Sequence, residues 1–266
     1  MKKNKKSNAG FSLVEISIVL VILGLLVGGV LTGQSLISSA EMRSQIKQIE
    51  QYDSAVLMFK NRFFELPADM VNPARFSLTA VAGFGNGDGY ITGGSTDGSD
   101  GSLWCYGEPM LLWIHLEQAG LIEGHYSDDV ILNGLQAKAG TSYPLLKIPS
   151  SAGITLHAVG PDYGTPGHVH YWWLNKGPFH DTNINYCHHT GMSAVNAFTI
   201  DSKIDDAKPF TGRVTIKGPY NGNLTPGTTN GGINSCSTTA LVDANYTVYK
   251  GTDDNCDVRV KALHLN

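Results

Sequence analysis

Five histidines and a cysteine crowd one stretch of the chain: His168-Val169-His170, His180 and Cys187-His188-His189. A His-x-His pair on a strand turns both rings to one face, and imidazole with thiolate is a zinc ligand set. Hydrolysis at such a zinc also needs an activating carboxylate, for which Asp162 and Asp181 are nearest. Against this, no HExxH is present, Cys187 suits a disulfide, and Trp172 and Trp173 suit aromatic strand packing. No GxSxG elbow, P-loop or dinucleotide fingerprint occurs.

A second candidate is the glycine- and oxygen-rich stretch from Gly83 to Gly101, in which Asn86, Asp88, Asp97 and Asp100 are the calcium-type ligands. Aligned to an EF-hand loop, it places Phe84 first and Ser95 twelfth, so both anchoring acids are missing. Ca2+ therefore competes with a solvated loop. Asp201 and Asp205 stand four apart, share a face on any helical turn, and read either as an acid/base pair or as a capped turn with Lys203 as counter-charge. The four cysteines, Cys105, Cys187, Cys236 and Cys256, form no CxxC pair, and an even count in an exported chain allows three connectivities.

The strongest signal precedes all of these. Four lysines lead to Gly10-Phe11-Ser12-Leu13-Val14-Glu15, and an uncharged run follows from Ile16 to Ala40. A carboxylate at the head of a bilayer-length segment costs about 2.5–3.5 kcal/mol on insertion scales, so it calls for a partner. A secretory signal peptide would use the small residues at Gly33-Gln34-Ser35 or Ser38-Ser39-Ala40 for cleavage, which leaves Glu15 unexplained. A plain signal anchor, with the lysines held in the cytoplasm, also fits the charge pattern.

The Gly-Phe junction, the Leu-Val after Ser12, the glutamate five residues past the junction and the basic leader together resemble the N-terminus of type IV prepilins and type II secretion pseudopilins. The resemblance implies cleavage after Gly10 by a prepilin peptidase, N-methylation of Phe11, and a Glu15 that meets the terminal amine of a neighbouring subunit in a filament core. It implies pilin subunits, an inner-membrane assembly platform and the membrane as partners. The precursor is expected in the inner membrane and the assembled filament outside the cell or across the periplasm. It also favours Cys236 with Cys256, closing a loop like the disulfide-bounded loop of many pilins, which leaves Cys105 with Cys187. The stretches Leu66-Pro67-Ala68-Asp69-Met70 and Ile200-Asp201-Ser202-Lys203-Ile204-Asp205-Asp206 resemble segments of pilin-like proteins as well.

These sites need a scaffold. Ile46, Ile49, Val56, Phe59 and Phe63 recur at helical spacing, which predicts one helix from Phe11 to about Phe64, roughly 80 Å long. Gly24, Gly28, Gly29 and Gly33 weaken it, as sites of close helix approach or of local unwinding. Glu108 to Tyr126 reads as a helix with His115 as a packing residue at its edge. Ile154–Val159, His168–Leu174, Arg213–Ile216, Tyr246–Tyr249 and Val258–Leu263 read as strands.

The expected fold is α+β: a cleaved leader over 1–10, a long helix over 11–65 with its membrane and assembly segment at 11–40, and a head with an antiparallel sheet over 66–266. Nineteen Lys and Arg stand against twenty-three Asp and Glu. Without the four leader lysines the balance is fifteen against twenty-three, so no basic stripe for nucleic acid is expected. The expected function is a non-enzymatic filament subunit; the alternatives are a minor pilin, a type II secretion pseudopilin, or a membrane-anchored periplasmic metalloenzyme built on the histidines.

Overall fold

The computed structural model describes residues 12–81, 84–92, 107–127, 137–149, 152–159, 169–175, 191–217, 236, 245–246, 256–263 and 265. Helix α1 runs unbroken from Leu13 to Phe63, about 75 Å at the usual rise. The glycines do not interrupt it, and a Cβ added at Gly24, Gly28, Gly29 or Gly33 would meet nothing within 4 Å. The helix stops at Phe64, whose left-handed backbone (φ 61°) turns the chain and lets its N–H donate to the Lys60 carbonyl.

The two halves of α1 live in different surroundings. From Ser12 to Ala40 every residue except Gly33 is exposed. From Met42 onward one face is buried, through Gln45, Ile49, Asp53, Val56, Phe59 and Phe63, at three- and four-residue steps. The apolar members of that stripe match the sequence pattern, apart from Ile46, which is only partly buried.

The head offers this stripe a four-stranded antiparallel sheet. Strands β1 (Gly153–Val159), β2 (Val169–Asn175), β3 (Val214–Lys217) and β4 (Asp257–Lys261) lie in the order β1-β2-β4-β3. In register, Leu156, Trp172, Val260 and Val214 form one row and Ile154, Leu174, Val258 and Ile216 the next, all buried on one face. The opposite face carries Thr155, His157, Tyr171, Trp173 and Arg259, which are buried too. There the Arg259 guanidinium lies 4.8 Å from the Tyr171 ring centre and its Nε donates to Thr215 Oγ1. Helix α2 (Glu108–Gln118) is buried along most of its length, as a helix apolar all round must be. It ends at Gln118, eight residues earlier than the sequence suggested, and Gly120 follows with φ +70°. Helix α3 (Ala194–Ile204) precedes β3, and its last turn holds the segment that sequence read as a capped turn. Tyr246 makes a single bridge position in the expected fourth strand, and 247–249 lie outside the described residues.

Aromatic rings and one carboxylate join helix to sheet. The Tyr52, Trp113 and Trp172 rings, from α1, α2 and β2, lie with centroids 4.9 to 6.0 Å apart. Beside them Asp53, 4 % exposed, accepts from Trp172 Nε1 at 2.7 Å and from Arg213 Nη2 at 2.8 Å. Arg213 Nε donates in turn to the Lys261 carbonyl at 3.0 Å. Removing one member of a buried ion pair strands the other, at about 3–5 kcal/mol. We expect Asp53→Ala to destabilise the detergent-solubilised protein by about that amount in urea unfolding, with Asp53→Asn losing less because it keeps an acceptor for Trp172. Unchanged unfolding in both variants would contradict the hub.

Candidate functional site

Ser12 and Glu15 build the N-terminus of α1. The Ser12 Oγ accepts from Val14 N–H at 3.3 Å, and Glu15 Oε2 accepts from Ser12 N–H at 2.8 Å, a reciprocal capping box. The box places an anionic group against the positive end of the helix, which stabilises it. Beyond it the side chains of Leu13, Val14, Ile16, Ile18 and Val19 and their successors to Ile37 are all exposed, a larger apolar surface than a soluble monomer carries. The helix is long and apolar enough to cross a membrane. Gly10 and Phe11, the expected processing residues, lie outside the described residues.

Residues 5–31 match the family model described as the prokaryotic N-terminal methylation motif. This is the type IV prepilin signature. It covers the leader and the apolar start of α1, the part of the chain with the capping box and the exposed apolar surface. The motif supports a precursor of pilin or pseudopilin type, and the apolar helix fits an anchor in the inner membrane. Neither the curated proteins nor the solved structures give a significant match.

Among the described residues, the head's candidates serve mainly to hold backbone. His170 Nε2 accepts a hydrogen bond from Ile91 N–H at 3.1 Å, which leaves its Nδ1–H to donate to the Leu265 carbonyl at 3.1 Å. Both ring nitrogens are thus in use on main chain, and His168, His180, Cys187, His188 and His189 lie outside the described residues. His115 works the same way and is wholly buried rather than at an edge. Its Nδ1 accepts from Ala68 N–H at 2.9 Å and its Nε2 donates to the Thr79 carbonyl at 2.7 Å. Burial pulls its pKa down to about 4, so the ring is neutral at physiological pH.

Asn86 and Asp88 face their own turn: Asn86 Nδ2 donates to Asp88 Oδ2, and the Asp88 and Tyr90 N–H groups donate to Asn86 Oδ1 and Asp88 Oδ1. Asp97 and Asp100 lie outside the described residues. The acids that grip this loop are ones the sequence did not single out. Asp69 accepts from the N–H groups of Gly87 and Gly89, and Glu108, at the first turn of α2, from those of Gly85 and Thr92, all at 2.8 to 3.0 Å. Gly85 is required there, because its φ is +79° and a Cβ would stand 2.3 Å from the Met70 carbonyl oxygen. Desolvation outweighs those donors and, with the neighbouring carboxylates, pushes Asp69 up to about 6 and Glu108 to about 7.

Cys236 and Cys256 are joined by a disulfide, with Cα atoms 5.3 Å apart; Cys105 and Cys187 lie outside the described residues. The Cys256 main chain pairs with Met192, just ahead of α3. Inside the loop that the disulfide closes, the Tyr246 hydroxyl donates to Asp201 Oδ2 at 2.8 Å. Asp201 also accepts from Ala207 N–H, and burial lifts its pKa to about 6. Asp205 accepts from the Arg213 and Val214 N–H groups. The carboxylates that sequence offered as an acid/base pair therefore shape the turn that delivers Arg213 to Asp53. Gly212, with φ +76°, is the necessary residue in it, since a Cβ would overlap the Asp205 carboxylate.

Glu108 gives a pH test. A carboxyl whose pKa is raised on folding contributes stability that is complete below its ordinary 4.5 and is lost as pH rises through about 7. In urea titrations across that window the wild type should lose more stability than Glu108→Gln, which cannot ionise. Parallel pH profiles for the two proteins would contradict the assignment.

Proposed function

We propose that this chain is a structural subunit of a type IV pilus, processed by a prepilin peptidase and polymerised through α1. The observation that carries the reading is the exposed apolar half of a 51-residue helix that begins with a capping box and bears the methylation motif. In lipid, Glu15 borrows compensation from its own helix end. In a polymer, the methylated amine of Phe11 on a neighbouring subunit supplies a full opposite charge, so assembly relieves what membrane insertion costs. Apolar helices leave lipid for the filament core, and the heads cover the surface. The peptidase, like subunits and an inner-membrane assembly platform are the partners this scheme requires. A minor pilin or a secretion pseudopilin would use the same parts in the same way.

The metalloenzyme alternative gains no support from His170, whose two nitrogens are committed to Ile91 and Leu265.

Two measurements test the reading. The intact mass of the protein from cells carrying the processing system should equal the chain from Phe11 with one added methyl group. A mature start near Ala40, or retention of Met1, would overturn it. Glu15→Ala should insert into membranes at least as well as the wild type, because it removes a charge from the head of the apolar segment, yet should give few or no filaments in micrographs. Abundant filaments from the variant would show that the carboxylate does not drive assembly.

A further inference from the structure

The head begins almost where the apolar run ends. Met42, two residues beyond Ala40, is already buried. At this level the helix holds one segment of the head by its main chain: Lys147 N–H donates to Gln45 Oε1 at 2.7 Å, and Gln48 Nε2 donates to the Leu145 carbonyl at 2.9 Å. Gln45 Nε2 donates to Gln48 Oε1, so the two glutamines act as one clamp. The turn before that segment folds back onto it. The Thr141 and Ser142 N–H groups donate to the Lys138 carbonyl, and a Cβ at Gly140 would sit 3.2 Å from Leu145 Cδ1. Lys147, Arg43 and Lys47 are exposed at the base of the head with Leu145, 47 % exposed, among them, and Lys138 is exposed on the turn that packs on Leu145. The acids of α1 at this level are the half-buried Glu41 and the exposed Glu50.

Distance along α1 gives these residues a place. Glu15 and Arg43 are twenty-eight residues apart, about 42 Å along the axis. That equals the thickness of a bilayer with its headgroups, about 40–45 Å. With Glu15 at one interface, Arg43 stands at the other. Lys47 and the clamped Lys147 follow within about 6 Å, within reach of flexible lysine stems. Height alone matters, because every side of the helix meets the same headgroup layer. The mature chain as a whole is acidic, with fifteen basic residues, Arg43, Lys47, Lys138 and Lys147 included, against twenty-three acidic ones, so a basic base faces the membrane beneath a head that an anionic surface would repel.

We propose that Arg43, Lys47, Lys138 and Lys147, with Leu145 as an apolar foot, dock the head of the unassembled subunit on the anionic lipid headgroups of the membrane that α1 spans. Each basic side chain attracts the anionic surface, and the clamp holds Leu145 where it enters the interface. Docking fixes the height of α1, and with it keeps Glu15 at the far interface. The inference rests on the membrane-anchored reading.

The test uses the full chain in lipid nanodiscs made of phosphatidylcholine alone or with added phosphatidylglycerol. Co-elution with the discs reports insertion, and hydrogen exchange of peptides covering 41–50 and 138–149 reports docking. We expect slower exchange of both peptides only with the anionic lipid, reversed by salt. In Lys138→Glu/Lys147→Glu the docking equilibrium constant should fall by at least roughly 30-fold, about five-fold for each lysine charge lost and more from the two glutamates added. Both side chains are exposed, so the variant should keep the wild-type unfolding midpoint. Equal exchange in both lipids overturns the proposal, as does protection that follows the number of chains per disc, which would make a second copy the occupant. Failure to enter the discs would instead overturn the anchored reading.

Discussion

A carboxylate that is 4 % exposed must be compensated, and the way Asp53 is compensated organises the head. Trp172 reaches it from β2 and Arg213 from the start of β3, across 119 and 160 residues of chain. Arg213 also ties back to the Lys261 carbonyl at the end of β4. One point on the helix thus fixes two strands and the end of a third, and the apolar rows of the sheet can seat on α1 in only one register. Hydrophobic burial supplies most of the driving force, but it is non-directional. The buried charge makes one arrangement much cheaper than a slipped one.

The other buried polar groups repeat this logic at smaller scale. His115 and His170 each join an N–H to a carbonyl from segments without regular structure. Asp69 and Glu108 collect four N–H groups of one glycine-rich loop. Gln45 and Gln48 stand in for a strand partner of 145–147. A head with a four-stranded sheet and long connections has much main chain without a ladder, and unpaired buried main chain is costly. Among the described residues, His115, His170, Asp69 and Glu108, which look catalytic by type, are spent on that requirement.

This explains what the sequence disclosed. The helix and four of the five strands were legible because their signal is local: the 3.6-residue stripe through Ile49, Val56, Phe59 and Phe63, and the apolar runs around Trp172 and Val258. Glu15 was legible because a charge stands out in an apolar run. Asp53, Asp69 and Glu108 were not, because nothing near an acid in sequence says that its partner is an amide or an indole on another element. His115 was misplaced for the same reason, since helical spacing puts it on α2 and only the fold shows Ala68 and Thr79 on either side of it. Asp201 and Asp205 were visible as a pair, but their partners Tyr246 and Arg213 lie across two further elements.

The strand order β1-β2-β4-β3 sets a timetable. β4, at residues 257–261, lies between β2 and β3, so neither neighbour completes its ladder until that late segment arrives. A chain synthesised from its N-terminal end keeps the sheet open until nearly all of it is made. The pairing of β4 with β2 and β3 is therefore the late, long-range event in closing the sheet, and until then β2 and β3 each present an unpaired edge to any chaperone or neighbouring chain that meets them first.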